Sequence, residues 1–268
     1  MTFGFIGAGN MASAIVRGAV ESGYLKGNDI FIADRSQTAA QALAREVDAH
    51  EAASNTSLVK ECDVIVLAVK PAQIGDVLTE IADTLTPEKL LISIAAGISL
   101  EAIESYIGQT PLVRVMPNMN ASIAESMTGI CSNAEATREH ISTARTLMNS
   151  VGRTLVIDEG DFPVFSALAG CSPAWMYEII DSLARAGVKY GIPKAQAVAI
   201  VAQAMVGSAQ LVLTSAAEDE RTPAELIDRV CSPGGTTIAG LLAAQEAGLG
   251  SALVKAVDAA VARDGELG

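Results

Sequence analysis

The sequence predicts an α/β fold in which a doubly wound sheet over residues 1–160 is followed by an all-α domain over residues 161–268. In the first half, short apolar runs of strand type alternate with helical patterns, which is typical of a parallel sheet covered by helices on both faces. After about Asp161 the strand pattern stops and only helical patterns follow. This change marks the predicted domain boundary.

Six runs in the first half are predicted to form the strands of the sheet. They are nearly continuous in apolar residues, as expected of strands that are buried on both faces. In chain order they read TFGFIGA, DIFIADR, DVIVLAVKP, LLISIAAG, PLVRVMPN and GRTLVID. Helices are predicted between them; Gly23 ends the first helix and Pro71 closes the third strand.

Helical patterns fill the second half. Gly187 and Gly248 are predicted to end two helices, and Pro193 and Pro223 stand where helices begin. The run over residues 195–217 is apolar nearly all round and long enough to test as a membrane span. Because glutamines interrupt this run, we expect instead a helix that is buried on several sides in a soluble protein, with dimerisation through it.

The composition argues against several classes of partner. With 18 basic and 31 acidic residues the net charge is −13, and an acidic surface repels nucleic acids and anionic membranes. The four cysteines are far apart and form no CxxC pair, so neither a disulfide framework nor a metal site is predicted. The first basic residue follows the first apolar run, so we expect no signal peptide and a cytoplasmic location.

A glycine-rich loop follows the first predicted strand and opens a helix. In GFIGAGNMASA, the residues Gly7, Gly9 and Ala12 match the GxGxxG/A pattern of dinucleotide-binding sites. The first glycine permits a tight turn, and the second lets the backbone approach a pyrophosphate at the helix N-terminus. The sheet is therefore predicted to be Rossmann-like, with cofactor contacts from Gly7, Ala8, Gly9, Asn10, Met11 and Ala12.

The second strand ends in Asp34, Arg35 and Ser36, which we expect at the adenine ribose. An acidic residue there usually binds the ribose hydroxyls of NAD, whereas arginine and serine suit the 2′-phosphate of NADP. We favour NADP, and Asp34 leaves NAD open. Ligands bind at the carboxyl ends of strands in open α/β sheets, and the remaining predicted cofactor contacts are Asn55, Ala68, Val69, Lys70, Pro71, Ala95, Ala96, Gly97 and Asn118.

A second loop of this kind lies near the end of the chain. SPGGTT, residues 232–237, combines two glycines and two hydroxyls at the start of a helix, so that its backbone N–H groups can hold an anion. An ordinary helix start capped by Ser232 or Thr236 fits the same letters.

SPGGTTIAG resembles the signature loop of the pyrroline-5-carboxylate reductase family. Similar segments occur in the family's order along the whole chain, namely GFIGAGNMASAI, LAVKP, AAG, RVMPN, SPAW, AGVKYGIPKAQA, TPAELIDRV and ARDGELG. The resemblance implies NAD(P)H-dependent reduction of 1-pyrroline-5-carboxylate to L-proline. It also implies an all-α dimerisation domain that interlocks with a partner subunit, in a homodimer or a decamer.

The resemblance also assigns site residues in the SPGGTT loop. It implies substrate contacts from Ser232, Gly234, Gly235, Thr236 and Thr237, with Thr237 as the catalytic residue. The sequence departs from the family pattern at Met119, Asn120, Ala124, Ser126, Cys171, Ser172, Trp175 and Thr222. These departures leave the substrate open, and the alternatives are a reductase of another cyclic imine, a 3-hydroxyacid dehydrogenase using Lys189 or Lys194, and a non-catalytic dinucleotide-binding regulator.

Overall fold

The computed structural model describes residues 1–218 and 221–266. Its contacts divide the chain into two compact units. The first contains Met1–Gly170 and the chain from Ala260 onward, and the second contains Cys171–Ala259.

The first unit is built on a mixed sheet that has eight strands in the described part of the chain, in the order β3-β2-β1-β4-β5-β6-β7-β8. Their bounds are β1 Phe3–Ile6, β2 Ile30–Ala33, β3 His50–Glu51, β4 Val64–Leu67, β5 Leu90–Ser93, β6 Leu112–Met116, β7 Ser126–Ser132 and β8 Gly152–Val156. All six predicted strands are present. The prediction of a purely parallel sheet was wrong, because β7 runs antiparallel to β6. Two buried polar residues of β7, Ser126 and Thr128, interrupt the apolar pattern by which a central strand is recognised.

Helices cover both faces of this sheet, as predicted. They are α1 Asn10–Glu21, α2 Gln37–Glu46, α3 Asn55–Glu61, α4 Ile74–Ile81, α5 Leu100–Ile107, α6 Arg138–Asn149 and α7 Phe162–Phe165, followed by a π-helical turn at Ser166–Cys171. Successive strand residues point to opposite faces. Phe5 therefore lies in one buried cluster with Ile15 of α1, and Ile6 lies in another with Leu58 of α3. The doubly wound α/β class is confirmed.

The second unit is helical. Its helices are α8 Ser172–Lys189, α9 Lys194–Glu218, α10 Pro223–Val230, α11 Thr236–Glu246 and α12 Leu249–Gly265, the last of which continues into the first unit. Gly248 separates α11 from α12 as predicted. Gly187 does not end its helix, because α8 continues to Lys189 and the turn uses Gly191, which has φ +93°. At Gly187 a Cβ would lie 3.1 Å from the Cβ of Ala197, so the glycine lets α8 and α9 pack closely.

The long apolar helix α9 is exposed in the single chain. Ile200, Val206, Leu211 and Leu213 each keep more than half of their surface accessible. The chain alone therefore does not bury this helix, and its burial through dimerisation stays a prediction. Length and composition alone would let Lys194–Ser215 cross a membrane, and α11 with α12, bent by 49°, would pass as one broken span.

Candidate active site

Gly7 lets the glycine-rich loop pack closely against the backbone that follows β4. Its φ is +112°, and a Cβ at this position would lie 2.5 Å from the carbonyl oxygen of Ala68. Its N–H donates to the carbonyl oxygen of Ala33 at 2.7 Å. A side chain at position 7 is therefore excluded by both space and backbone conformation.

Gly9 and the start of α1 fit a pyrophosphate. No described atom lies within 4 Å of a Cβ built on Gly9, so the backbone there is open to a ligand. Within the described chain no side chain caps α1. The N–H groups of its first turn have no intrahelical acceptor and favour an anion. The loop therefore fits the phosphate groups of a dinucleotide on its geometry alone.

Asp34 bonds to the protein backbone. Its Oδ2 accepts from the N–H of Ala8 and its Oδ1 accepts from the N–H of Ser36, both at 2.7 Å. The neighbouring Arg35 is exposed, and its guanidinium has no ion pair or hydrogen bond among the described residues. Asp34, which was predicted to bind the ribose, therefore forms hydrogen bonds within the protein, whereas the guanidinium of Arg35 is available to a ligand.

A cavity of about 400 Å³ lies at the carboxyl ends of β1, β2 and β4. It brings together four of the residues predicted to contact the cofactor, namely Asp34, Arg35, Asn55 and Val69. The amide of Asn55 donates to Oε2 of Glu80 at 2.8 Å. The cavity lies where the adenosine end of a dinucleotide binds in folds of this class.

The other strand-end residues lie in the loops after β4 and β5. Ala68 donates its N–H to the carbonyl oxygen of Ile6 at 2.8 Å, and the exposed Lys70 precedes a short turn at Pro71–Gln73. After β5, Ala95 is buried, Ala96 is exposed and Gly97 has φ +72°. Their contacts with a cofactor stay predictions.

Asn118 is buried and its amide has protein partners at both ends. Its Nδ2 donates to the carbonyl oxygen of Ala169 at 2.9 Å, and its Oδ1 accepts from the N–H of Asn120 at 3.0 Å. Its own N–H donates to the hydroxyl of Ser126 at 3.0 Å. Asn118 therefore ties the end of β6 to the π-helical turn, and a ligand contact by this residue stays a prediction.

A second cavity, of about 800 Å³, lies between α1 and the turn at Met119–Ile123. It brings Asn10 and Met11 of the glycine-rich loop together with Met119 and Ala124, two of the departures from the family pattern. Sequence reasoning did not predict this cavity. The nearest signal was the clustering of unusual residues after the fifth predicted strand.

The SPGGTT loop opens α11 in the second unit. Gly234 has φ +69°, and the N–H of Gly235 donates to the carbonyl oxygen of Ser232 at 3.0 Å. Gly235 is the N-cap residue, and no side chain of the described chain caps α11. An ordinary capped helix start is therefore contradicted, and the first-turn N–H groups remain open to an anion beside the exposed Thr236 and Thr237.

Two buried thiols and one partly buried ion pair lie outside these loops. Burial raises the pKa of Cys62 and that of Cys131 to about 12 each, which keeps both thiols protonated and unreactive. Arg114 bonds to Glu159 at 2.7 Å and lies 4.3 Å from the ring centroid of Phe162. No cluster of three or more metal-ligating side chains occurs in residues 1–218 and 221–266.

The sheet, the glycine-rich loop and the adjoining cavity define a dinucleotide-binding protein of the Rossmann class that carries a helical unit. The pyrroline-5-carboxylate reductase of Methanosarcina acetivorans is 35% identical over 266 residues, which cover 99% of this chain and 97% of that protein. The Escherichia coli K12 enzyme is 35% identical over 255 residues, covering 95% and 93%. The chain belongs to the pyrroline-5-carboxylate reductase family.

Family models and solved structures agree with this assignment. Residues 159–267 match the model described as pyrroline-5-carboxylate reductase dimerisation, and residues 2–97 match NADP oxidoreductase coenzyme F420-dependent. A pyrroline-5-carboxylate reductase from Coxiella burnetii has a TM-score of 0.92 at 33% identity, covering 99% of this chain and 98% of that one. The Plasmodium falciparum pyrroline carboxylate reductase, solved with NADP bound, has a TM-score of 0.85 at 30% identity, covering 100% and 98%.

Proposed function

We propose that this chain reduces 1-pyrroline-5-carboxylate to L-proline. The observation that carries the proposal is the pair of glycine loops, each leading into an uncapped helix, in a chain that matches the family from end to end. One loop suits the pyrophosphate of a dinucleotide and the other suits the single carboxylate of the substrate.

The two loops bind and orient the reactants. When bound, a reduced nicotinamide dinucleotide supplies the hydride. The N–H groups at the start of α11 hold the substrate carboxylate. The hydroxyl of Thr237 forms a hydrogen bond with the ring nitrogen or with the carboxylate. The imine carbon accepts the hydride and the imine nitrogen acquires a proton, which gives the secondary amine. Since an imine is protonated in water before the hydride arrives, orientation supplies most of the rate enhancement.

NADPH is the cofactor that this site supports best, with NADH as the second candidate. Arg35 has a free guanidinium at the rim of the cavity, and a guanidinium suits a 2′-phosphate. Asp34, the residue that favours NADH, has both oxygens bonded to backbone N–H groups. The test is the dissociation constant of each cofactor, and tighter binding of NADH would contradict this preference.

A 3-hydroxyacid dehydrogenase would need Lys189 or Lys194 as its catalytic lysine, and both side chains have partners within the protein. Lys194 is bonded to the carboxylate of Asp181, and Lys189 lies over the ring of Tyr190 at 5.7 Å. Another cyclic imine as substrate is the second alternative, and Met119 and Ala124, which line the second cavity, are the departures that bear on it. Oxidation of NADPH with pyrroline-5-carboxylate, with other cyclic imines and with 3-hydroxyacids separates these cases. Cofactor binding without turnover of any substrate would favour the non-catalytic regulator.

A homo-oligomer with interlocked helical domains, a dimer or a decamer, is the proposed assembly. The match of residues 159–267 to a dimerisation model and the exposed apolar side chains of α9 support it. We propose residues 1–160 as the dinucleotide-binding domain and residues 161–268 as the substrate and dimerisation domain. The chain is proposed to act in the cytoplasm without nucleic-acid or membrane partners. Light scattering coupled to size exclusion tests the assembly, and a monomer at micromolar concentration would contradict it.

A further inference from the structure

We infer that Asp34 is a positioning residue that joins the two cofactor-binding loops, and that this role, rather than a bond to the ribose, is its main contribution to cofactor binding. This inference rests on the proposed function only in assuming that a nicotinamide dinucleotide binds at these loops.

The carboxylate of Asp34 accepts hydrogen bonds from two backbone segments. One lies 26 residues earlier in the sequence and the other lies 2 residues later. Oδ2 accepts from the N–H of Ala8, between the two glycines of the first loop, at 2.7 Å. Oδ1 accepts from the N–H of Ser36, the residue before α2, at 2.7 Å. Asp34 is partly buried. Its two bonds therefore fix the distance between the pyrophosphate end and the adenosine end of the site.

The identity of the two partners explains why an aspartate stands here. Both partners are N–H donors, and an ionised carboxylate offers an acceptor to each. An asparagine would turn its NH2 group towards one of the two donors and leave that N–H without an acceptor in the protein. A glutamate is one methylene longer and would displace both bonds. Hydrogen bonds to a charged acceptor are also the stronger kind.

The arrangement separates two tasks that the sequence pattern assigns to one residue. An acid at the end of the second strand is usually a ligand of the ribose hydroxyls. Here both of its oxygens face N–H groups of the protein, and the guanidinium of Arg35 is the group left at the rim of the cavity. The acid at position 34 is therefore compatible with a phosphorylated ribose.

Calorimetric titration of the full chain with NADPH and with NADH tests the inference in Asp34→Asn. A positioning role predicts that both cofactors bind more weakly by the same factor, on the order of tenfold for one lost charged hydrogen bond. A ribose ligand predicts instead that the ratio of the two dissociation constants shifts towards NADPH. Such a shift, or binding of both cofactors as in the wild type, would overturn the inference.

Asp83→Asn is the matched control, because Asp83 is exposed and lines neither of the two cavities. This variant removes one negative charge without touching the two bonds of Asp34. We expect it to weaken neither cofactor. A loss equal to that of Asp34→Asn would show that charge alone explains the effect, and would overturn the inference.

Amide hydrogen exchange of the cofactor-free wild type gives a test that no folding defect can obscure. The N–H groups of Ala8 and Ser36 should exchange at least about tenfold more slowly than those of Gly9 and Asn10, for which the described chain provides no acceptor. Equal exchange rates would overturn the inference. Neither measurement uses the substrate, so a chain that passes both tests but does not reduce pyrroline-5-carboxylate refutes only the proposed reaction.

Discussion

Gly7→Ala and Gly9→Ala form a matched pair that separates folding from cofactor binding in one loop. At Gly7 the added methyl would lie 2.5 Å from the carbonyl oxygen of Ala68 and 2.7 Å from its carbonyl carbon, and the residue has φ +112°. At Gly9 no described atom lies within 4 Å of the methyl, and φ is −73°. The same change is therefore forbidden at one position and allowed at the other.

The structure sets the expected magnitudes. An alanine forced into positive φ costs about 1–2 kcal/mol, and displacing the end of β4 adds about 1–3 kcal/mol of overpacking. We expect Gly7→Ala to lower the free energy of unfolding by about 2–5 kcal/mol. Gly9→Ala should change it by less than about 0.5 kcal/mol. Because its methyl occupies the approach of the pyrophosphate, Gly9→Ala should weaken NADPH binding by on the order of tenfold or more.

Urea unfolding followed by circular dichroism gives the stabilities, and titration calorimetry gives the NADPH affinities. Both variants and the wild type are compared at one protein concentration. The reasoning fails if Gly9→Ala loses as much stability as Gly7→Ala. It also fails if Gly9→Ala binds NADPH as tightly as the wild type, since the open side of the loop would then not face the cofactor.

The remaining predictions concern the second loop, the partly buried ion pair and the buried thiols. Thr237→Ala should lower kcat by about tenfold or more while the NADPH dissociation constant changes little; an equal loss of NADPH binding would contradict its assignment to the substrate. Arg114→Met leaves the partly exposed carboxylate of Glu159 without its guanidinium, and should lower the urea-derived stability by about 1–2 kcal/mol; an unchanged midpoint would count against it. Burial raises the pKa of Cys62 and of Cys131 from 9.0 to about 12, so their contribution to stability is complete below pH 9 and is lost as the pH rises towards 12. Stability that increases over that interval would refute this.

The strand pattern of the first half was sufficient to predict the fold. Its six apolar runs all became strands. Five of them are buried along almost their whole length, whereas β8, at the edge of the sheet, keeps Leu155 and Val156 exposed. The seventh long strand, β7, was missed since Ser126 and Thr128 are buried with hydrogen-bond partners rather than by apolarity. Gly187 was misassigned because its role is tertiary, namely to admit the Cβ of Ala197.

Sequence motifs located the two loops but not the direction of their side chains. Gly7, Gly9 and the SPGGTT loop stand at the starts of α1 and α11, as the patterns predict, because these patterns depend on backbone geometry. The orientation of Asp34 depends on Ala8, 26 residues earlier, and that of Asn118 depends on Ala169, 51 residues later. A linear pattern contains no information on such pairings, and the second cavity was missed for the same reason.

The helices of this chain begin in two different ways. Ser54, Ser99, Thr137 and Thr222 cap α3, α5, α6 and α10 with their hydroxyls. In the described chain α1, α2, α4, α7, α8 and α11 have no such cap. Among these, the glycine-rich loop leads into α1 and the SPGGTT loop leads into α11. Each missing cap forgoes about 1 kcal/mol. With the contacts proposed above, the cofactor phosphate would cap α1 and the substrate carboxylate would cap α11, each only while it is bound. A side chain that capped α1 or α11 permanently would compete with the ligand for the same first-turn N–H groups.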